Sequence, residues 1–183
     1  MPRTRPLLTF VLAAYVVQAG SLRAEMQLDL PDVKRGALQI SHVASGYGCD
    51  GLNQSPEMIW TGAPPETKSF IVSAYDPDAP TGSGFWHWMA FDIPPSVAGL
   101  AEGAGGSDHA MPSGSVLARN DFSMNRYDGA CPPEGSTHRY VFTVYAMPME
   151  HLPINASASA AMVGYFANTA ALAKASVVAV YGR

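Results

Sequence analysis

The stretch Ser69-Phe-Ile-Val-Ser-Ala-Tyr-Asp-Pro-Asp-Ala-Pro-Thr-Gly-Ser-Gly-Phe-Trp-His-Trp88 changes character within a single residue. Residues 70–75 are apolar and β-rich, with the length and composition of a buried strand. Asp76 and Asp78 then flank Pro77, and Ala79 and Pro80 close the segment. Proline fixes φ and has no N–H for a sheet ladder, so this is a stiff strand exit that holds two carboxylates in place. Thr81-Gly-Ser-Gly84 turns the chain, and a second apolar run begins at Phe85. A second polar knot, Gly135-Ser-Thr-His-Arg-Tyr140, heads a strand-like segment over 138–146. Two-residue alternation places His138, Tyr140, Phe142 and Val144 on one face of it, with Arg139 and Val141 on the other. Two anchored aspartates, a histidine and a tyrosine at strand ends are the material of one small polar pocket.

The whole composition supports a turn-rich β protein. The chain has 183 residues, 48% of them hydrophobic, enough for one domain with a real core. Only 14% are charged, while 17 glycines and 15 prolines punctuate the text, which excludes a helical bundle. The formal charge is −4 and no basic run is present, so nucleic acid as a partner has no electrostatic footprint.

The first residues read as a leader outside the fold. Arg3 and Arg5 precede an apolar run over 7–17, too short for a comfortable membrane span. Cleavage fits after Ala19 or after Ala24. The second is favoured because Glu25 begins a polar segment, giving a signal peptide over 1–24 and a single domain over 25–183. An uncleaved anchor is the rival reading. Export predicts a periplasmic or secreted protein, and there an even pair of cysteines, Cys49 and Cys131, suggests one disulfide. Two buried free thiols are the alternative. Neither cysteine has a Cys or His at zinc-ligand spacing, so no metal is expected there.

Along the mature chain, short strands are expected near 58–60, 69–75, 86–93 and 138–146, with 37–43 alternating roughly. Residues 157–175 are alanine-rich and predict a helix capped by Asn155 or Ser157. The β-branched run 176–181 predicts a terminal strand.

Asp76-Pro-Asp-Ala-Pro80, Trp86-His87, Asn120-Asp-Phe122, Cys131-Pro-Pro133, Gly135 and His138-Arg-Tyr140 occur in order. With these motifs the chain resembles the phosphatidylethanolamine-binding, or Raf kinase inhibitor-like, proteins, and their bacterial branch in particular. The likeness runs from about Gly36 to the C-terminus and takes in Gly51-Leu-Asn-Gln-Ser-Pro56 and Ile59-Trp60. It implies a mainly β fold, a central antiparallel sheet packed on a smaller sheet with peripheral helices. It also implies a pocket for phosphate, acetate or a phospholipid headgroup, built from Asp76, Asp78, Pro80, Trp86, Trp88, His138 and Tyr140.

Carboxylates repel anions, so such a pocket needs compensation. A protonated His138 supplies a positive charge, since imidazole is the side chain that titrates near neutrality. Amides of the loop 129–135 are expected to supply uncharged donors. Binding is then expected to weaken as pH rises through neutrality. Many eukaryotic relatives read Trp-His-His where this chain reads Trp86-His87-Trp88. Alternation puts Trp86 and Trp88 on one face and His87 on the other, which favours a ligand with an apolar or cationic part and places His87 behind the site or in the core. Arg139 faces away from His138 and is expected in a structural ion pair.

Enzyme readings are weaker. Ser136 and His138 are two residues apart and no Gly-x-Ser-x-Gly elbow is present. A metal site from Asp76, Asp78 and His138 matches no standard spacing. The expectation is a non-enzymatic binding protein with no cofactor, no metal and no catalytic residue. Its ligand is a small anionic or phosphorylated molecule or a phospholipid headgroup. The alternative is an interaction module or inhibitor acting on a kinase or protease, and a homodimer is left open.

Overall fold

A computed structural model describes residues 25–106 and 111–183, and the expected leader over 1–24 lies outside the described residues. In chain order the elements are β1 (Gln27–Asp29), β2 (Ser45–Gly46), β3 (Cys49–Asp50), β4 (Met58–Thr61), β5 (Ser69–Asp76) and β6 (Phe85–Ile93). They continue as β7 (Gly99–Leu100), β8 (Val116–Leu117), β9 (Thr137–Met147), α1 (Ala160–Ala170) and β10 (Ala173–Gly182). A five-stranded sheet runs β10-β9-β5-β6-β8, a three-stranded sheet runs β1-β4-β7, and β2-β3 form a separate hairpin. Every strand pairing within the three sheets is antiparallel. The mainly β architecture read from the sequence, a central sheet against a smaller one, is the observed one.

The continuous apolar runs of β5 and β6 follow from burial on both faces. On one side Val72, Ala74, Trp88, Ala90, Phe142 and Val144 join Met58 and Trp60 of the small sheet in a single core. On the other, Ile71, Met89, Phe91, Tyr145 and Met147 pack with Ala160, Val163 and Ala167 of α1. A strand covered twice has no polar face to show, so it reads as a run rather than an alternation.

Three local expectations change. The helix is shorter than 157–175, and its N-cap is Ser159, whose side chain accepts from the Met162 amide, rather than Asn155 or Ser157. Alanine-rich text does not mark its own ends, and residues 173–175 pair with β9 at Ala146, Tyr145 and Val144 instead. Tertiary pairing overrides helix propensity there. Around 37–43 the chain forms a 3-10 turn at Ile40–His42 and not a strand.

β5 and β6 do not run in simple register. Ala74 pairs with Trp88 and Tyr75 with Trp86, so His87 is an extra residue on its strand. Such a bulge re-aims side chains on either side of it. Trp86 turns to α1, its ring lying against Gly164, and meets Tyr75 at 4.5 Å between centroids. Trp88 is fully buried on the opposite side, edge-on to Tyr127. The two tryptophans therefore lie on opposite faces, against the alternation expected from their spacing.

Candidate functional site

Where β5 ends and β6 and β9 begin, a cavity of about 280 Å³ opens. Its polar floor is Asp76, His87, His138 and Tyr140. Tyr47, Phe85 and Phe122 form aromatic walls, and Ala79, Pro80, Thr81, Cys131, Pro132 and Pro133 complete the rim. The stiff exit from β5 brings Asp76 and Pro80 here, as the proline spacing implies. Gly84 is required behind it, because it takes φ +70° and a Cβ would strike the Tyr75 hydroxyl and the Asp76 carbonyl.

Asp76 and His138 are both buried and joined at 2.7 Å between Oδ2 and Nδ1. The other carboxylate oxygen accepts the Asp78 amide at 2.8 Å, which fixes the carboxylate plane. Tyr140 stands on the same face of β9 as His138, as alternation predicts. Its hydroxyl is buried with no hydrogen-bond partner among the described residues. Burial pushes the phenol well above its ordinary range, with the Asp76 charge adding to it. The Cys131 amide pulls the other way without reaching hydrogen-bond geometry.

His87, expected behind the site or in the core, lines the cavity. Its Nδ1 lies 2.8 Å from the Asp128 carbonyl, an acceptor only, so Nδ1 carries the proton and donates. Desolvation lowers the pKa of the ring, which holds it neutral. The ring meets Phe85, Phe122 and Tyr140 edge-on at 5.3, 5.7 and 5.3 Å between centroids.

Three expected site residues lie elsewhere. Trp86 and Trp88 point out of the cavity for the reason already given, so neither forms its wall. Asp78 is claimed by Arg139, whose backbone amide, Nε and Nη2 reach its oxygens at 2.8, 2.9 and 2.6 Å. These hydrogen bonds lower the Asp78 pKa to about 2. Arg139 does sit in the structural ion pair expected of it, and the consequence is that Asp78 is not available to a ligand.

Most of the loop amides are also committed. Gly129 donates to Asn53 Oδ1, Ala130 to the His42 carbonyl, Gly135 to the Arg183 carbonyl and Ser136 to the Pro133 carbonyl. Pro132 and Pro133 have none to give. The expected ring of uncharged donors is therefore reduced to the Cys131 and Glu134 amides, which find no acceptor among the described residues.

Cys49 and Cys131 form a disulfide, which ties the β2-β3 hairpin and its tip residue Tyr47 to the wall of the cavity. Asp32, His42 and Glu102 bring possible metal-ligand atoms within 4.8 Å of one another, but none of the three lines the cavity. His42 Nε2 lies 3.5 Å from Asp32 Oδ2.

Sequence reasoning missed His87, Phe85, Phe122, Tyr47 and Thr81 as lining residues. Phe122 and the Cys131-Pro-Pro133 segment stood inside quoted motifs, and that recurrence was the available signal. Tyr47 carried none.

A family model described as phosphatidylethanolamine-binding protein matches residues 33–182. The UPF0098 protein YbcL of Escherichia coli is 42% identical over 180 residues, covering 97% of this chain and 98% of that one. YbhB of the same organism is 46% identical over 157 residues, covering 85% and 99%. The crystal structure of E. coli YbcL, described as a new member of the mammalian PEBP family, superposes with a TM-score of 0.83. It is 45% identical and covers 87% of this chain and 99% of its own. The architecture, the ordered motifs and these likenesses agree, and the chain belongs to the phosphatidylethanolamine-binding protein family.

Proposed function

We propose that the chain is an exported, non-enzymatic binding protein that takes a small oxyanion, a phosphate-type group or phospholipid headgroup, in the cavity at Asp76 and His138. The observation that carries this reading is the buried Asp76 and His138 pair, joined at 2.7 Å and lining the cavity. The joined Asp76 and His138 side chains offset the charge problem, since a protonated His138 makes the pair neutral overall. Export is supported by the leader-like text over 1–24 and by the disulfide, which persists in oxidising compartments.

A second reading, a surface that engages a protein target, is favoured by Tyr47. It is 70% exposed at the cavity mouth, with Leu52 at 63% nearby in the chain. Aromatic residues at a rim suit protein contacts.

The test is a thermal-melt titration with inorganic phosphate and with phosphoethanolamine at pH 6 and pH 8, on wild type, Asp76→Ala and His138→Ala. Stabilisation of wild type is expected, stronger at pH 6. Either substitution removes a charge-assisted contact and weakens binding about tenfold or more. Equal responses from all three would place the ligand elsewhere, and silence from wild type would favour the protein target.

A further inference from the structure

Away from the cavity, three segments far apart in the chain each bring one metal-ligating group to a common point. Asp32 comes from the turn after β1, His42 from the 3-10 turn at Ile40–His42, and Glu102 from the loop after β7. Their ligand atoms lie within 4.8 Å of one another. His42 is wholly buried, and its Nδ1 lies 3.1 Å from the Gln54 carbonyl, an acceptor only, so Nδ1 carries the proton and donates. In the neutral ring Nε2 then keeps a lone pair, and it stands 3.5 Å from Asp32 Oδ2. Ser41 Oγ is 3.5 Å from both ring nitrogens, so it lies along neither lone pair. Asp32 Oδ2 accepts the Glu57 amide at 2.8 Å, while Asp32 Oδ1 is buried with no hydrogen-bond partner among the described residues. Lys34, two residues further on, donates to the Pro31 carbonyl instead.

A proton shared between imidazole and carboxylate draws the two heavy atoms to about 2.7–2.9 Å. His138 and Asp76 meet in that way, at 2.7 Å. The gap between His42 and Asp32 is wider, and it matches the edge of a metal tetrahedron, where ligands about 2.1 Å from zinc stand about 3.4 Å apart. We infer that Asp32, His42 and Glu102 form a site for a divalent transition-metal ion of the zinc class, with water as the fourth ligand. The donor set decides the class, because imidazole nitrogen beside carboxylate oxygen suits zinc and its neighbours, whereas calcium and magnesium take oxygen ligands. The surroundings are those of a ligand set. A metal-bound histidine donates its other N–H to a carbonyl, here that of Gln54, and a ligating carboxylate is itself hydrogen-bonded, here by the Glu57 amide. Charge points the same way: the Asp32 side chain is only 22% exposed, and a cation supplies the compensation that its orphaned oxygen lacks. Glu102 is exposed, so its carboxylate closes the site from the solvent side. No metal spacing is visible in the sequence because the three residues meet only through the fold. The ion braces a turn that matters to the cavity, since the His42 carbonyl accepts the Tyr127 hydroxyl and the amide of Ala130, next to Cys131 on the cavity rim.

Calorimetry and thermal melts with Zn(II) test this on tag-free, chelator-washed protein in a buffer that does not bind metal. Wild type, Glu102→Gln and Asp32→Asn are compared, with Ca(II) and Mg(II) as reference ions. Wild type should take up one zinc per chain and melt at a higher temperature with it. Either substitution removes a ligand and should weaken zinc at least about tenfold. Co(II) bound to wild type should show the visible absorption of a four-coordinate site, and both variants should lose it. Calcium and magnesium at the same concentration should leave the melt unchanged. Absence of stoichiometric zinc uptake by wild type overturns the inference and returns the His42–Asp32 contact to a proton. Uptake that either substitution leaves unchanged overturns it too, by placing the ion on other groups. A larger response to calcium or magnesium than to zinc overturns the zinc class. Glu102 is exposed, so Glu102→Gln decides the matter alone if Asp32→Asn does not fold. The phosphate titration of the cavity is made on metal-free protein, so the failure of one reading leaves the other standing.

Discussion

His87 shows how one buried ring acquires a defined chemistry. Its Nδ1–H is committed to the Asp128 carbonyl, and burial lowers its pKa. A folded pKa below the unfolded value means that the unfolded chain binds the extra proton. The stability that comes from a neutral His87 is therefore fully present above the unfolded value of about 6.5 and is lost as pH falls toward the folded one. Wild type should accordingly lose more thermal stability than His87→Gln between pH 7.5 and pH 5.5, in the absence of ligand. Parallel losses in the two proteins would mean that His87 is not the titrating group. Asp78 is the opposite case. Its carboxylate is held low by a forked arginine, and because that arginine is supplied by β9, a residue read as a ligand group becomes a strap across two strand ends.

At the scale of elements, the bulge in β6 has the largest consequence. One extra residue opposite β5 sends Trp86 to the helix side, Trp88 into the inter-sheet core and His87 to the cavity. Trp88 is fully buried, and its Nε1 has no partner among the described residues. Trp88→Phe removes packed volume but also an orphaned donor, so the two effects oppose each other. A net loss of about 1–3 kcal/mol is expected from urea denaturation, with the oxyanion-induced melting shift retained. A folded Trp88→Phe protein that no longer responds to phosphate would return this side chain to the binding site.

Across the whole molecule, the cavity is assembled from the end of the large sheet and a hairpin cross-linked to its wall. The disulfide joins residues 82 apart in sequence and holds the Tyr47 hairpin against the Cys131 wall. The chain-entropy account assigns such a loop about 4–5 kcal/mol. Urea midpoints measured with and without a dithiol reductant should differ accordingly, and identical midpoints would show that the cross-link adds nothing to stability. Much of this design was legible in the sequence. The strands at the centre of the large sheet announce themselves as apolar runs, because burial on both faces leaves them no polar positions. Asp76 and Pro80 were readable because prolines stiffen a strand exit locally, and His138 and Tyr140 because alternation along one strand is local too. The orientation of Trp86, His87 and Trp88 was not readable, since a bulge exists only relative to a partner strand. Nor was the capture of Asp78 by Arg139, 61 residues away, or the commitment of loop amides to His42, Asn53 and Arg183. Propensity and periodicity act within a few residues and were determined by the sequence alone. Register and the competition for hydrogen-bond partners act between distant segments, and only the tertiary structure decided them.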